Sequence, residues 1–159
     1  MGKTVKGFNR KRRNKNTNDQ TKTETTMKAL KNFIGAAQLQ VLLQLRKGEE
    51  GKYFEEVLNH IRATIESMPK TYETDGQGKN AIAYLHYFTS AGDWWITERD
   101  TSEEQLQAFG YAYINGFDNA EFGYISIKEL IENGAELDLY SGFDKQITIN
   151  DVIKSETFA

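Results

Sequence analysis

The 159-residue chain has no cysteine, one proline and two histidines. Without thiols there is no disulfide, no thiolate zinc site and no cysteine nucleophile. A zinc site would have to join His60 and His86 to carboxylates. One histidine falls in a helical stretch and the other in an alternating one, with no local pairing, so a metal role is not expected of them. No apolar run approaches the roughly 20 residues of a membrane span, and no membrane partner is expected. The basic N-terminus is not followed by an apolar stretch, which argues against a secretory signal, and the lack of cysteine fits a bacterial-type cytoplasmic location. "DGQGKN" (75–80) lacks the GxxxxGK[ST] pattern and precedes a strand, so it is a turn and not a phosphate loop. Ser90, Ser102, Ser126 and Ser141 have no G-x-S-x-G elbow. No cofactor and no catalytic residue is assigned.

What the chain does have is aromatic and acidic. Nine Phe, eight Tyr and two Trp make up 12% of the residues, enough to carry much of a core. The net charge of −3 conceals two poles. Residues 1–26 hold eight Lys or Arg against Asp19 and Glu24, a net +6, which leaves the remaining chain at −9. The stretch 1–26 has no hydrophobic period and is expected to be a disordered basic tail. Within it Arg10, Lys11, Arg12, Arg13 and Lys15 are candidates for holding nucleic-acid phosphates. Met27 is a candidate internal start that would leave the tail out of the functional protein.

Residues 27–159 are expected to form a single α+β domain: an N-terminal helical hairpin (27–67), then an antiparallel β-meander of four to five strands (81–140) with short C-terminal helices. From Thr26, the three- and four-residue steps of Leu30, Phe33, Ile34, Ala37, Val41 and Leu45 predict one helix up to Gly48. A second runs from about Glu49 to Ser67, burying Tyr53 or Phe54 with Val57, Leu58, Ile61 and Ile65, and stopping at the lone proline, Pro69. The period then changes to two in "AIAYLHYF" (81–88), "DWWITE" (93–98), "LQAFGYAYI" (106–114) and "EFGYISI" (121–127). The connections between them, including the Asn115-Gly116 turn, are too short to cross over. Ser126 to Glu129 reads as a capping box, Gly134 as a helix stop, "AELDLYS" as a further strand, and 148–154 as a last short helix. Helices are expected to cover much of one sheet face, with the other partly open.

Adjacent strand residues face opposite sides, so Trp94 and Trp95 cannot form one platform. One is expected in the core and the other in cross-strand aromatic packing or available to a partner.

The strings "MPKTYETDGQGKNAIAYLHYFTSAGDWWITERD", "QAFGYAYING" and "NAEFGYISIKELIENGAELDLY", in that order over Met68 to Tyr140, resemble the domain of unknown function 2958 family, small accessory proteins of bacterial plasmids, integrative elements and phages. The resemblance implies a mobile-element accessory protein in the bacterial cytoplasm and supplies no catalytic residues. The basic tail is not part of the pattern.

An acidic body attracts basic surfaces. A protein partner with a basic surface is therefore expected at a binding surface of Trp94, Trp95, Glu98, Asp100, Glu103, Glu104, Asp118, Glu121 and Asp138. In the sharpest form of this reading those acids, with Glu129, Glu132 and Glu136, imitate a DNA backbone toward a host defence or DNA-binding protein. The alternative is a carboxylate- and metal-dependent hydrolase or nuclease in which Asp93, Glu98, Asp100, Glu121 and Asp138 cluster at strand ends. Nucleic-acid association through the tail is the other alternative.

Overall fold

A computed structural model describes the backbone of residues 9–157 and the side chains of residues 15–157. It has the expected α+β architecture. The helices are α1 (Asn9–Leu30), α2 (Ala36–Leu45), α3 (Gly51–Ser67), α4 (Ile127–Glu132) and α5 (Ile149–Thr157). The strands are β1 (Ile82–Ala83), β2 (Leu85–Phe88), β3 (Gly92–Glu98), β4 (Ala108–Ile114), β5 (Glu121–Ile125), β6 (Glu136–Leu137) and β7 (Ile147–Thr148). Five strands form one antiparallel sheet in the order β5-β4-β3-β2-β6, and β1 pairs with β7 in a separate two-stranded ribbon. Among the described residues no helix is long and apolar enough to cross a membrane.

Two expectations about the N-terminal region need correction. Residues 9–26, expected to be disordered, are helical within α1. No Gly or Pro interrupts 9–30, and Thr21, Thr23, Thr25 and Thr26 each donate a hydroxyl hydrogen bond to the carbonyl four residues back. Among the described side chains of this helix the buried ones, Thr26 and Leu30, lie at its C-terminal end. From there it can propagate one hydrogen bond per residue at little cost, a mechanism that leaves no apolar period to read. Residues 1–8 lie outside the described residues. The second correction is that the helix expected from 26 to 48 is two helices, broken at residues 31–35. Tyr87, fully buried in β2, donates its hydroxyl to the Phe33 carbonyl at 2.6 Å and holds that break against the sheet. The break also changes the phase of α2. Leu39 and Leu42 are buried, whereas Val41 and Leu45, assigned to the inner face, are exposed.

Elsewhere the periods read true. α3 buries Val57, Leu58, Ile61 and Ile65, with Phe54 and not Tyr53 packed on the core. Ser126 caps α4 by accepting the Glu129 N–H at 3.1 Å, and Gly134 follows with φ +85°, a left-handed turn that suits glycine. The stretch 81–88 is two strands, interrupted at Tyr84, because β1 leaves the main sheet to pair with β7.

The sheet separates two apolar clusters. On one face Leu85, Tyr87, Ile96, Ala108 and Ile125 meet α1, α2, α3 and α4. On the other, Trp95 and Tyr111 pack under Ile149 and Val152 of α5. The face expected to stay partly open is therefore partly covered by α5.

Candidate binding groove

Trp94 and Trp95 face opposite sides of β3, as the strand alternation requires. Trp95 sits in the α5 cluster and is only 4% exposed. It stacks on His86 of β2, its register partner, with ring centroids 4.8 Å apart and planes 4° from parallel. Trp95 is thus internal and not available to a partner. Trp94, only half-buried, leans against the larger core.

Beside Trp94 the helices leave a corner of the sheet uncovered. An open groove of about 830 Å3 runs between the sheet and α4, with Trp94 and Ala112 on its floor and Gly123, Ile125 and Leu130 along its wall. Small residues make the space: Ala112 lies opposite Trp94, and Gly110 lies opposite Gly123. A Cβ on Gly110 would collide with the Trp95 carbonyl, so the small residue there is enforced by the backbone. A Cβ on Gly123 would meet nothing within 4 Å. Glu121 of β5 and Glu129 of α4 contribute carboxylates to the groove, and among the described residues no Lys, Arg or His side chain lines it. The site therefore combines an aromatic ring with uncompensated negative charge, the combination that attracts a cationic or amphipathic side chain.

The other acids fare differently. Glu103, Glu104 and Asp118 are exposed, but none of them lines the groove. Glu98 is 2% exposed. A β-bulge between Ile96 and Glu98 places Glu98 opposite Phe109, across the sheet from the groove. There its carboxylate accepts the Tyr72 N–H at 3.1 Å, the Thr74 N–H at 2.6 Å and the Thr74 hydroxyl at 2.8 Å. Asp100 is also buried. Burial alone would raise its carboxyl, but the N–H groups of Ser102, Gln107 and Leu106 outweigh that and hold it below the usual carboxylate range. Neither residue is part of an acidic surface. Both organise loops: Glu98 ties the segment around Tyr72 and Thr74 to β3, and Asp100 closes the turn over residues 102–107.

Asp138 is half-buried and belongs to a chain of polar groups on the α5 face. His86 lies between Asp138 and Asp93, with Nδ1 3.3 Å from one carboxylate and Nε2 2.7 Å from the other. The Tyr113 hydroxyl donates to the second Asp93 oxygen at 2.6 Å. Burial alone would lower the His86 pKa, but the hydrogen bonds and negative charge of Asp138 and Asp93 raise it above its ordinary value. The His86 contact holds Asp138 below the usual range, and the bond to Asp93 pushes the Tyr113 phenol up to about 12. With its two ring nitrogens beside two carboxylates and Trp95 against its face, His86 cross-links Asp138 and Asp93, most strongly when protonated. Hairpin register could have revealed half of this: Asp93 pairs with Phe88, so it is the diagonal neighbour of His86. Asp138 arrives from a distant strand and carries no local signal.

Among the described residues no group of three His, Asp or Glu side chains is arranged to hold a metal ion. Asp93, Glu98, Asp100, Glu121 and Asp138 do not converge: two meet through His86, two are bonded to loops, and Glu121 stands at the sheet edge. His60 instead packs edge-on against Phe143 at 5.0 Å. Lys15 is exposed on α1, while the side chains of Arg10, Lys11, Arg12 and Arg13 lie outside the described residues. No protein-family model, curated protein or solved structure matches this chain, so the resemblance to the domain of unknown function 2958 family draws no support from them.

Proposed function

We propose that this protein is a non-enzymatic polypeptide-binding module, an accessory protein of a bacterial mobile element that takes a basic segment of a partner protein. The mobile-element context rests on the sequence resemblance alone. The binding role rests on one observation, the groove with Trp94 on its floor and, among the described residues, Glu121 and Glu129 as the charged groups that line it. An Arg or Lys side chain laid over a half-buried tryptophan gains both apolar contact along its stem and attraction of its charge to the ring and the carboxylates. If the partner is a DNA-binding protein, the surface it presents is one that normally meets phosphate. The imitation of phosphate would then fall to Glu121 and Glu129, with the exposed Glu132 and Glu136 nearby in sequence.

The test is a titration of the full chain with a defined lysine-rich polypeptide of about 20 residues, followed by tryptophan fluorescence. Saturable binding that weakens at least tenfold in Trp94→Ala and in Glu121→Lys supports the reading. Binding unchanged by both substitutions, or none at low salt, overturns it.

A further inference from the structure

The two edges of the main sheet are not alike. At one edge, β6 has only two residues, and the Gln38 side chain of α2 occupies its outer side. Gln38 donates from Nε2 to the Leu137 carbonyl at 2.8 Å and accepts the Leu137 N–H at 3.0 Å, as a neighbouring strand would. At the other edge, β5 has five residues, pairs only with β4 and meets no such side chain among the described residues. Its sequence, EFGYI, contains none of the lysines or prolines that commonly blunt an edge.

The two sides of β5 also differ in chemistry. Glu121, Gly123 and Ile125 face the acidic groove. Tyr124 faces the other way, 58% exposed. It packs edge-on against Phe109 at 5.7 Å and against Tyr72 at 6.5 Å, with the two tyrosine hydroxyls 2.8 Å apart. Tyr72 is 63% exposed and has φ +78°, a left-handed conformation costly for a tyrosine, retained while Glu98 accepts its N–H. A free edge thus runs between an acidic groove and a pair of exposed tyrosines joined through their hydroxyls.

We propose that β5 receives its partner by strand addition: an extended segment of a basic partner protein pairs with the β5 backbone. Alternate side chains of that segment point to opposite faces. Those on the groove side are Lys or Arg, beside Glu121 and Glu129. Those between are apolar or aromatic, against Tyr124 and Tyr72. Charge complementarity selects the occupant, because the described residues lining the groove supply two carboxylates and no cation. This inference rests on the polypeptide-binding reading and adds the geometry and the sequence pattern that the module would recognise.

Backbone pairing can be tested on the ligand, which avoids variants that fail to fold. Three capped heptapeptides are titrated into the full chain: one alternating Lys with Val and Tyr, and two versions N-methylated at one or the other set of alternate residues. In an added strand only one set of N–H groups faces the sheet. One methylated peptide is expected to lose at least tenfold in affinity and the other to bind nearly as well as the parent. Amide exchange within residues 121–125 should slow on binding of the parent. Equal binding of the two methylated peptides overturns strand addition while leaving the groove reading intact. Failure of all three peptides, together with failure of the longer lysine-rich probe, overturns both. Failure of the three alone overturns only the pattern proposed here. A dimer in sedimentation whose β5 amides are already protected without peptide overturns it by making a second copy the occupant.

Discussion

At the scale of single residues, the buried polar groups are the most informative, because each must be matched by donors or acceptors that folding delivers. Glu98 receives three hydrogen bonds from Tyr72 and Thr74. Glu98→Gln would set an amide NH2 against donors and should cost about 1–3 kcal/mol in urea unfolding. Tyr72→Gly separates strain from function. Relief of the left-handed backbone offsets the lost ring contact, so stability should change by less than about 1 kcal/mol. Affinity for an alternating basic peptide should nevertheless fall several-fold. The His86 cross-link sets a pH dependence whose sign follows from its neighbours. A raised histidine stabilises the fold fully below its ordinary value of 6.5 and loses that contribution as pH rises through the raised pKa. A depressed Asp138 stabilises fully above its ordinary value of 3.8 and loses that contribution as pH falls through the depressed pKa. The cross-link is therefore strongest between about pH 3.8 and 6.5. In denaturation midpoints measured across pH, His86→Gln should remove the fall above that window and also reduce the acid limb, because the same contact holds the Asp138 carboxyl down.

At the scale of elements, the alternating strands and the 3.6-period of α3 were legible because each buries one side and exposes the other. α1 was not. Its residues 15–22 are exposed apart from their contacts with α3, including the Lys22–Glu55 pair at 3.8 Å, and a helix without an apolar stripe has no period to detect. α2 misled for a different reason. Six apolar positions spanning 30–45 fit one continuous helix, but the break at residues 31–35 resets the phase and turns Val41 and Leu45 outward. α5, short and C-terminal, proves to be the lid over Trp95 and Tyr111. Ile149 within it is fully buried, so Ile149→Ala should cost about 2–5 kcal/mol in chemical denaturation. It should also loosen the packing around Trp95, seen as a red shift in its fluorescence.

At the scale of the whole molecule, charge and exposure act together. The body carries nine more acids than bases over residues 27–159, and two of its carboxylates stand in an uncovered corner of the sheet. Attraction of a basic segment to such a surface is long-ranged and screened by ions, with a Debye length near 10 Å at 0.1 M salt. The association rate for the lysine-rich probe, measured by stopped-flow fluorescence, should therefore fall steeply from 20 to 200 mM salt. The dissociation rate should change less, since it reports the short-range contacts with Trp94 and the strand edge.

Composition and periodicity by themselves determined the α+β class, the meander, the inward face of α3 and the opposed orientation of the two tryptophans. Each of these follows from local alternation of polar and apolar residues, which a chain must satisfy wherever its elements end up. Tertiary structure alone decided which acids are surface and which are internal. Glu98 and Glu121 are equivalent as letters in a sequence. The bulge after Ile96 turns one toward loop donors 24 and 26 residues away, while the other stays on the unpaired edge of β5. The same holds for the tryptophans: alternation separates them, but only the placement of α5 and α4 buries Trp95 and leaves Trp94 beside open space. The burial of Glu98 and of Trp95 depends on residues distant in the chain, and no local pattern encodes it.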